Sequence, residues 1–287
     1  MADRKAWKHK AFGLLLVMPS FFVICMLVAY PIGRAVALSF TDAKTKSFTL
    51  ANYQLIFTEP FMVGNIKYTL VIVAFTVLIV AVLSYLLALY ITFTDTWFSR
   101  AISKLYIIPR FIPTIVAVYA ILNVIKDTGA LNRIVLALFG VDWKPSLMYT
   151  QKGIILANCW FNFPFSTMLI SASLQGIPRS IIESARDVGA RKLRIFLSMI
   201  LPLSFNDFLI AMTFVFMGNV AAFTTPYLIG ARAPMMLGVA LQQEFSSFQN
   251  LEKSAAISVF LFLLSSLMGG FYIYKSLKAN KWEVTDR

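Results

Sequence analysis

Glu183 and Asp187 stand four residues apart within residues 176–202, GIPRSIIESARDVGARKLRIFLSMILP, among Arg179, Arg186, Arg191, Lys192 and Arg194. This is the longest strongly charged stretch of an otherwise apolar chain. Charges of both signs interleaved with Ile181, Ile182, Ala185 and Val188 fit two readings equally: a solvated loop with ordinary caps, or a functional element whose apolar residues bury while the charges pair at the rim. A second group is polar but lies inside apolar runs. Asn158 and Asn162 stand amid Trp160, Phe161, Phe163 and Phe165, and Asp207, Asn219, Thr224 and Thr225 share a later run with Phe223. Polar groups are costly in lipid and so are candidates for lining a solute path. For any single one of them, a hydrogen bond between helices or a kink is the plainer use.

Catalytic sets are missing. The chain has no G-x-x-x-x-G-K-[ST] loop, no H-E-x-x-H, no C-x-x-C and no carboxylate pair inside an apolar run. Nucleotide hydrolysis by this chain alone is therefore not expected, and neither a catalytic residue nor a metal site is assigned. The single histidine, His9, lies in a basic N-terminal stretch. Cys25 and Cys159 are far apart, each in an apolar run, and read as small buried residues instead of a disulfide or metal pair.

The elements that position these residues follow from composition. Hydrophobic residues make up 59% and charged residues 14% of the chain, against roughly 25% charged in soluble domains. That places it in the membrane class. The net charge of +13 then reads as basic residues between spans, not as a nucleic-acid surface. Six apolar runs are each near or above the roughly 20 residues that cross a bilayer: 12–33, 66–91, 105–125, 153–174, 203–230 and 254–274. With no water to satisfy free backbone groups they must be helices, and none alternates as a barrel strand would. The expected fold is thus all-α with six transmembrane helices. The first run is long enough to span and lacks a cleavage site, so no removable signal peptide is expected.

Interruptions are expected at Pro19 and, in the fifth run, at Gly218, Asn219 and Pro226, and the first run is expected to end near Pro31. Lys and Arg favour cytoplasmic termini. Fifteen basic residues fall in the two tails with Lys275, the 92–104 loop and residues 176–202, against ten on the other side, with Arg110 inside a span. The chain divides into a basic cytoplasmic tail, 1–11, a permeating domain, 12–275, and a cytoplasmic tail, 276–287.

Locally, Ser180 and Glu183 have capping-box spacing, with Pro178 just upstream. Ile181, Ile182, Ala185 and Val188 fall on one helical face, Gly189 offers a turn, and a short second helix over 191–197 precedes Pro202.

These residues carry a resemblance. Glu183, Ser184 and Ala185, then Arg186, Asp187 and Val188, then Gly189 and Ala190, with Ile200-Leu201-Pro202 closing the stretch, resemble the cytoplasmic loop signature of permease subunits of bacterial binding-protein-dependent ABC importers. Ser184 departs from the pattern, standing where the first of two alanines is usual. The six-span layout fits around the signature, so the likeness covers most of the chain. The resemblance implies that residues 176–202, with Ser180 to Ala190 at their centre, pack as short helices into a cleft of a cytoplasmic ATPase. It implies a second, homologous permease subunit, two ATP-binding cassette subunits that hold ATP and Mg, and an extracytoplasmic substrate-binding protein, all at a bacterial or archaeal inner membrane. This chain would carry no cofactor of its own. The runs ESARDVGARKLRIFLSMILPLS, FTLANY and TPYLIG look like permeases for polyamines and related small solutes. The opening MPSFFVICMLVAYPIGRAVALSFTD and the AAISV run look like sugar permeases. A secondary transporter would need coupling-ion ligands that are scarce here, and a membrane enzyme would need a catalytic set at depth.

Overall fold

The computed structural model describes residues 15–230 and 233–285, with side chains through residue 275. The basic tail, Arg232 and most of the C-terminal tail discussed above lie outside those residues or their described side chains. Among the described residues no strand forms, and the only extended pairing is an isolated bridge between Thr41 and Phe48. Six helical stretches are long and apolar enough to cross a membrane: Leu15–Ser39, Pro60–Phe93, Thr114–Phe139, Gln151–Gln175, Lys192–Val220 and Leu251–Lys275.

The residues fall into two compact units, one within 1–59 and 243–260, the other within 60–242 and 261–287. In the first unit, helix α1 (Leu15–Ser39) leads through a tight loop to α2 (Ala51–Thr58). Asn52 is buried and donates to the carbonyls of Ser39 and Thr41 at 3.1 and 3.0 Å, and Tyr53 reaches Ser39 at 2.7 Å. Lys253 pairs with Glu244 at 2.8 Å and with Glu59 at 3.3 Å.

The second unit is organised by α3 (Pro60–Phe93), which packs along α7 (Gln151–Gln175) and α9 (Lys192–Val220). Val80, Ile170, Leu174, Ala211 and Val215 form its buried centre. Tyr85 bonds Ser204 at 2.5 Å and meets Phe196 and Phe208 edge-on. Between α3 and α7 come α4 (Trp97–Leu105), a 3-10 turn (Ile108–Phe111), α5 (Thr114–Ile125) and α6 (Ala130–Phe139). Helices α8 (Arg179–Asp187), α10 (Thr224–Gly230), α11 (Leu237–Ser246) and α12 (Leu251–Thr285) complete the chain.

Several expected boundaries move, for identifiable reasons. Proline does not end α1 or confine the helix after Gly189. Pro31 follows a π-helical turn at Cys25–Ala29, and Pro202 follows one at Phe196–Ile200. A proline lacks a donor and crowds the carbonyl four residues back; the wider turn relieves both, so the helix continues. The short helix expected over 191–197 is therefore the first part of α9. The fifth run does break, but at residues 221–223, not at Gly218 or Asn219. Asn219 stays helical because its side-chain amide donates to the Val215 carbonyl at 2.6 Å. The third span is not one rod. Lys126 is extended after α5, so α6 lies in a segment expected to be polar loop. At 1.5 Å per residue α5 is only about 18 Å long, short of a bilayer.

Candidate functional site

Helix α8 is built from both ends. Pro178 is itself the N-cap, with ψ 127°, and no side chain caps the helix. The expected capping box does not form: the helix starts at Arg179, so Ser180 sits inside its first turn and cannot serve as the cap residue. The C-terminus closes on Gly189, whose φ of +83° is the left-handed region that glycine adopts without penalty. Gly189 donates to Arg186 at 2.8 Å and Ala190 to Ala185 at 3.0 Å. These paired bonds satisfy two carbonyls that a helix end leaves free.

The apolar residues of α8 divide, where a single face was expected. Ile182 and Ala185 are buried, 6% and 3% exposed, within this chain's own core beside Ile177 and Ile195. Ile181 and Val188 point outward, Val188 at 84% exposure, and Leu193 beyond the turn is exposed as well. The reason is angular: residues 182 and 185 share a stripe, while 181 and 188 share one about 100° away. Ser180, Glu183, Ser184, Arg186 and Asp187 are all exposed, and Ala190 is half-buried. Glu183 and Arg186, with Arg179, line one wall of a groove of about 320 Å³. The opposite wall comes from the end of α3 and from α4, including Asp95, Ser99 and Arg100. Asp95 pairs with Arg100 at 3.0 Å. The 92–104 loop and residues 176–202 thus occupy the same end of this unit, in keeping with the charge count that grouped them.

The second candidate lies where α5, α7 and α9 meet. Asn158, Asn162, Asn219 and Thr225 all line one cavity of about 500 Å³. Asn162 donates to the Asn158 carbonyl at 2.7 Å and makes a long contact of 3.5 Å with Asn219 Oδ1. The structure adds lining residues that were not expected on the path, two of which matter most. Arg110, from the 3-10 turn, and Gly218 also face the cavity. Arg110 lies over the Phe165 ring at 4.8 Å, a cation–π placement that holds the guanidinium against α7. Its position inside a run of apolar residues was the available signal.

The other expected path residues lie elsewhere. Trp160 packs edge-on to Phe161 at 5.1 Å. The Phe163 carbonyl accepts from Ser84 at 3.3 Å. Phe223 stacks on Tyr227 at 5.0 Å and packs against Met235, Val239 and Ala240. Thr224 opens α10, half-buried. Asp207 is half-buried in α9, twelve residues or about 18 Å of helix before Asn219.

The break in the fifth span is braced from α3. Asn65 Oδ1 accepts from the Met235 backbone at 2.9 Å, and Thr69 Oγ1 from Leu237 at 2.8 Å, both bonds buried. Gly238 faces the Ala221 and Ala222 carbonyls, where a methyl group would clash with both.

Residues 84–277 match the protein family described as binding-protein-dependent transport system inner membrane component. The chain is 24% identical, over 82% of its length and 85% of the relative's, to the spermidine/putrescine transport system permease protein PotB of Escherichia coli strain K12. It is 29% identical, over 91% of its length and 89% of the relative's, to the sulfoquinovosyl glycerol transport system permease protein SmoG of Agrobacterium fabrum. In fold it matches a chain of a bacterial alginate ABC transporter, solved with an alginate pentasaccharide-bound periplasmic protein, at a TM-score of 0.83 and 16% identity. That match covers 96% of this chain and 98% of the other.

Proposed function

The chain belongs to the family of inner membrane components of binding-protein-dependent transport systems and is a multi-pass permease subunit of an ABC importer. From that premise we propose that α8 and its glycine-closed turn dock in a separate ATP-hydrolysing subunit, which holds ATP and Mg. One observation supports this most: α8 is anchored to its own chain by Ile182 and Ala185 while Ile181, Val188 and Leu193 stay exposed around the turn. An element with one buried stripe and one exposed apolar stripe is rigid toward its own domain and has surface left for another. Glu183, Arg186 and their neighbours then supply charge pairing at the rim.

In this reading two ATP-binding cassette subunits drive two permeases between inward-open and outward-open states. Residues 176–202 and both termini face the cytoplasm of a bacterial or archaeal cell, and an extracytoplasmic binding protein delivers cargo. The second permease is homologous to this one. Asn158, Asn162, Asn219 and Thr225 line this chain's half of the path. The polyamine and sugar-type relatives both support a small organic solute as cargo.

The test is assembly and turnover of the complex with its co-encoded ATPase, second permease and binding protein. Glu183→Lys and Gly189→Pro are expected to lose ATPase co-purification, whereas Asn219→Leu keeps assembly but changes binding-protein-stimulated ATP hydrolysis. Normal ATPase binding and turnover by both α8 variants would sink the docking role.

A further inference from the structure

The cavity between α5, α7 and α9 has an electrostatic bias. Its lining contains one formal charge, Arg110, and no carboxylate. Asp207 does not line the cavity; it is eleven residues before Gly218, about 16 Å along α9. At its wall, the Asn158 side chain is 3% exposed, and its buried Nδ2 has no hydrogen-bond acceptor among the described residues. A buried amide donor left unpaired is costly unless something brings it an acceptor. The Arg110 guanidinium sits on the Phe165 face, and it has no carboxylate partner among the described residues.

We propose that this cavity admits solutes bearing an anionic group and disfavours polycations: Arg110 sets a positive potential that no carboxylate of the lining offsets. The proposal rests on the cavity being part of the translocation path. A cation would meet only repulsion from the one charge present, with no acid to offset it.

The charge preference can be read without knowing the cargo. Gly218 faces the cavity, and a Cβ added there meets nothing within 4 Å, so Gly218→Cys introduces a thiol without steric change. In the assembled complex, with Cys25→Ser and Cys159→Ser, its modification rate is measured with methanethiosulfonate ethylsulfonate and with methanethiosulfonate ethyltrimethylammonium. Each rate is normalised to the same reagent reacting with 2-mercaptoethanol. Any effect of Arg110 on the thiol itself cancels in the ratio. The anionic reagent is expected to be favoured by about tenfold, Arg110→Lys to keep that preference, and Arg110→Gln to remove most of it. Equal rates, a cationic preference, or a ratio that ignores Arg110→Gln would overturn the charge assignment. A different outcome would overturn the path reading beneath it: modification by neither reagent, or full modification that leaves binding-protein-stimulated ATP hydrolysis unchanged.

Discussion

The backbone N–H of Ala190 reaches back over Gly189 to the carbonyl of Ala185 at 3.0 Å. That bond fixes where α8 ends and the direction in which α9 begins. It exists because Gly189 holds a φ of +83°. A side chain there costs about 1 kcal/mol, and proline also removes the donor to Arg186 and cannot take a positive φ. Gly189→Ala is therefore expected to fold, with a slightly lowered melting temperature in detergent and reduced ATPase association. Gly189→Pro is expected to lose association altogether. The paired measurement is thermal unfolding of the purified chain beside co-purification of the ATPase.

Two apolar residues six apart on α8 separate stability from docking. Ile182 is buried in the chain's own core, so Ile182→Ala should cost about 2–4 kcal/mol of stability through lost burial and a cavity. Val188 is exposed, so Val188→Ala should change stability by less than about 0.5 kcal/mol. It should nonetheless weaken ATPase co-purification. Equal effects of both variants on unfolding would contradict the division of the two stripes.

Asn65 makes a third case. Its Oδ1 accepts the buried N–H of Met235 from a position 170 residues away in sequence. Asn65→Leu leaves that donor unpaired, an expected cost of about 1–3 kcal/mol. Because the bond braces the segment leading into α11, limited proteolysis is expected to cut near residues 233–237 faster in the variant. Asn65→Asp keeps the acceptor and is expected to protect the segment better than leucine does.

Gly238 covers the Ala221 and Ala222 carbonyls, which the helix break leaves exposed. Gly238→Ala puts a methyl group against backbone that cannot move aside. Overpacking of this kind costs about 1–3 kcal/mol, and a lowered melting temperature is the expected reading. If the variant is as stable as the parent, the close approach at the break is not as described.

How much of this was legible in the sequence depended on the length scale of the signal. The six spans were readable because a bilayer demands long apolar helices, a requirement that no tertiary contact overrides. Gly189 was readable because a turn in the left-handed region has a local residue preference. The capping box failed because Pro178, with its fixed φ, took the cap position two residues before Ser180, the expected cap. The prolines misled because π turns upstream of Pro31 and Pro202 have no local sequence mark. In the cavity, Asn158, Asn162, Asn219 and Thr225 were found as polar residues in apolar runs. Arg110 was seen as a charge in a span but not connected to them, since only the fold brings its 3-10 turn beside α7 and α9. The brace from Asn65 to Met235 is a purely tertiary contact, and neither residue's neighbours announce it.

The claim that α8 docks in an ATPase is tested most directly at Val188, its most exposed apolar side chain. Replacing Val188 with the photo-crosslinking residue p-benzoylphenylalanine, in the intact complex, and irradiating it gives a covalent record of what covers that position. The expected product is an adduct between this chain and the ATP-hydrolysing subunit, which is lost when Gly189→Pro is added. Adducts only with lipid or with the second permease, in a complex that still hydrolyses ATP on demand, would contradict the account.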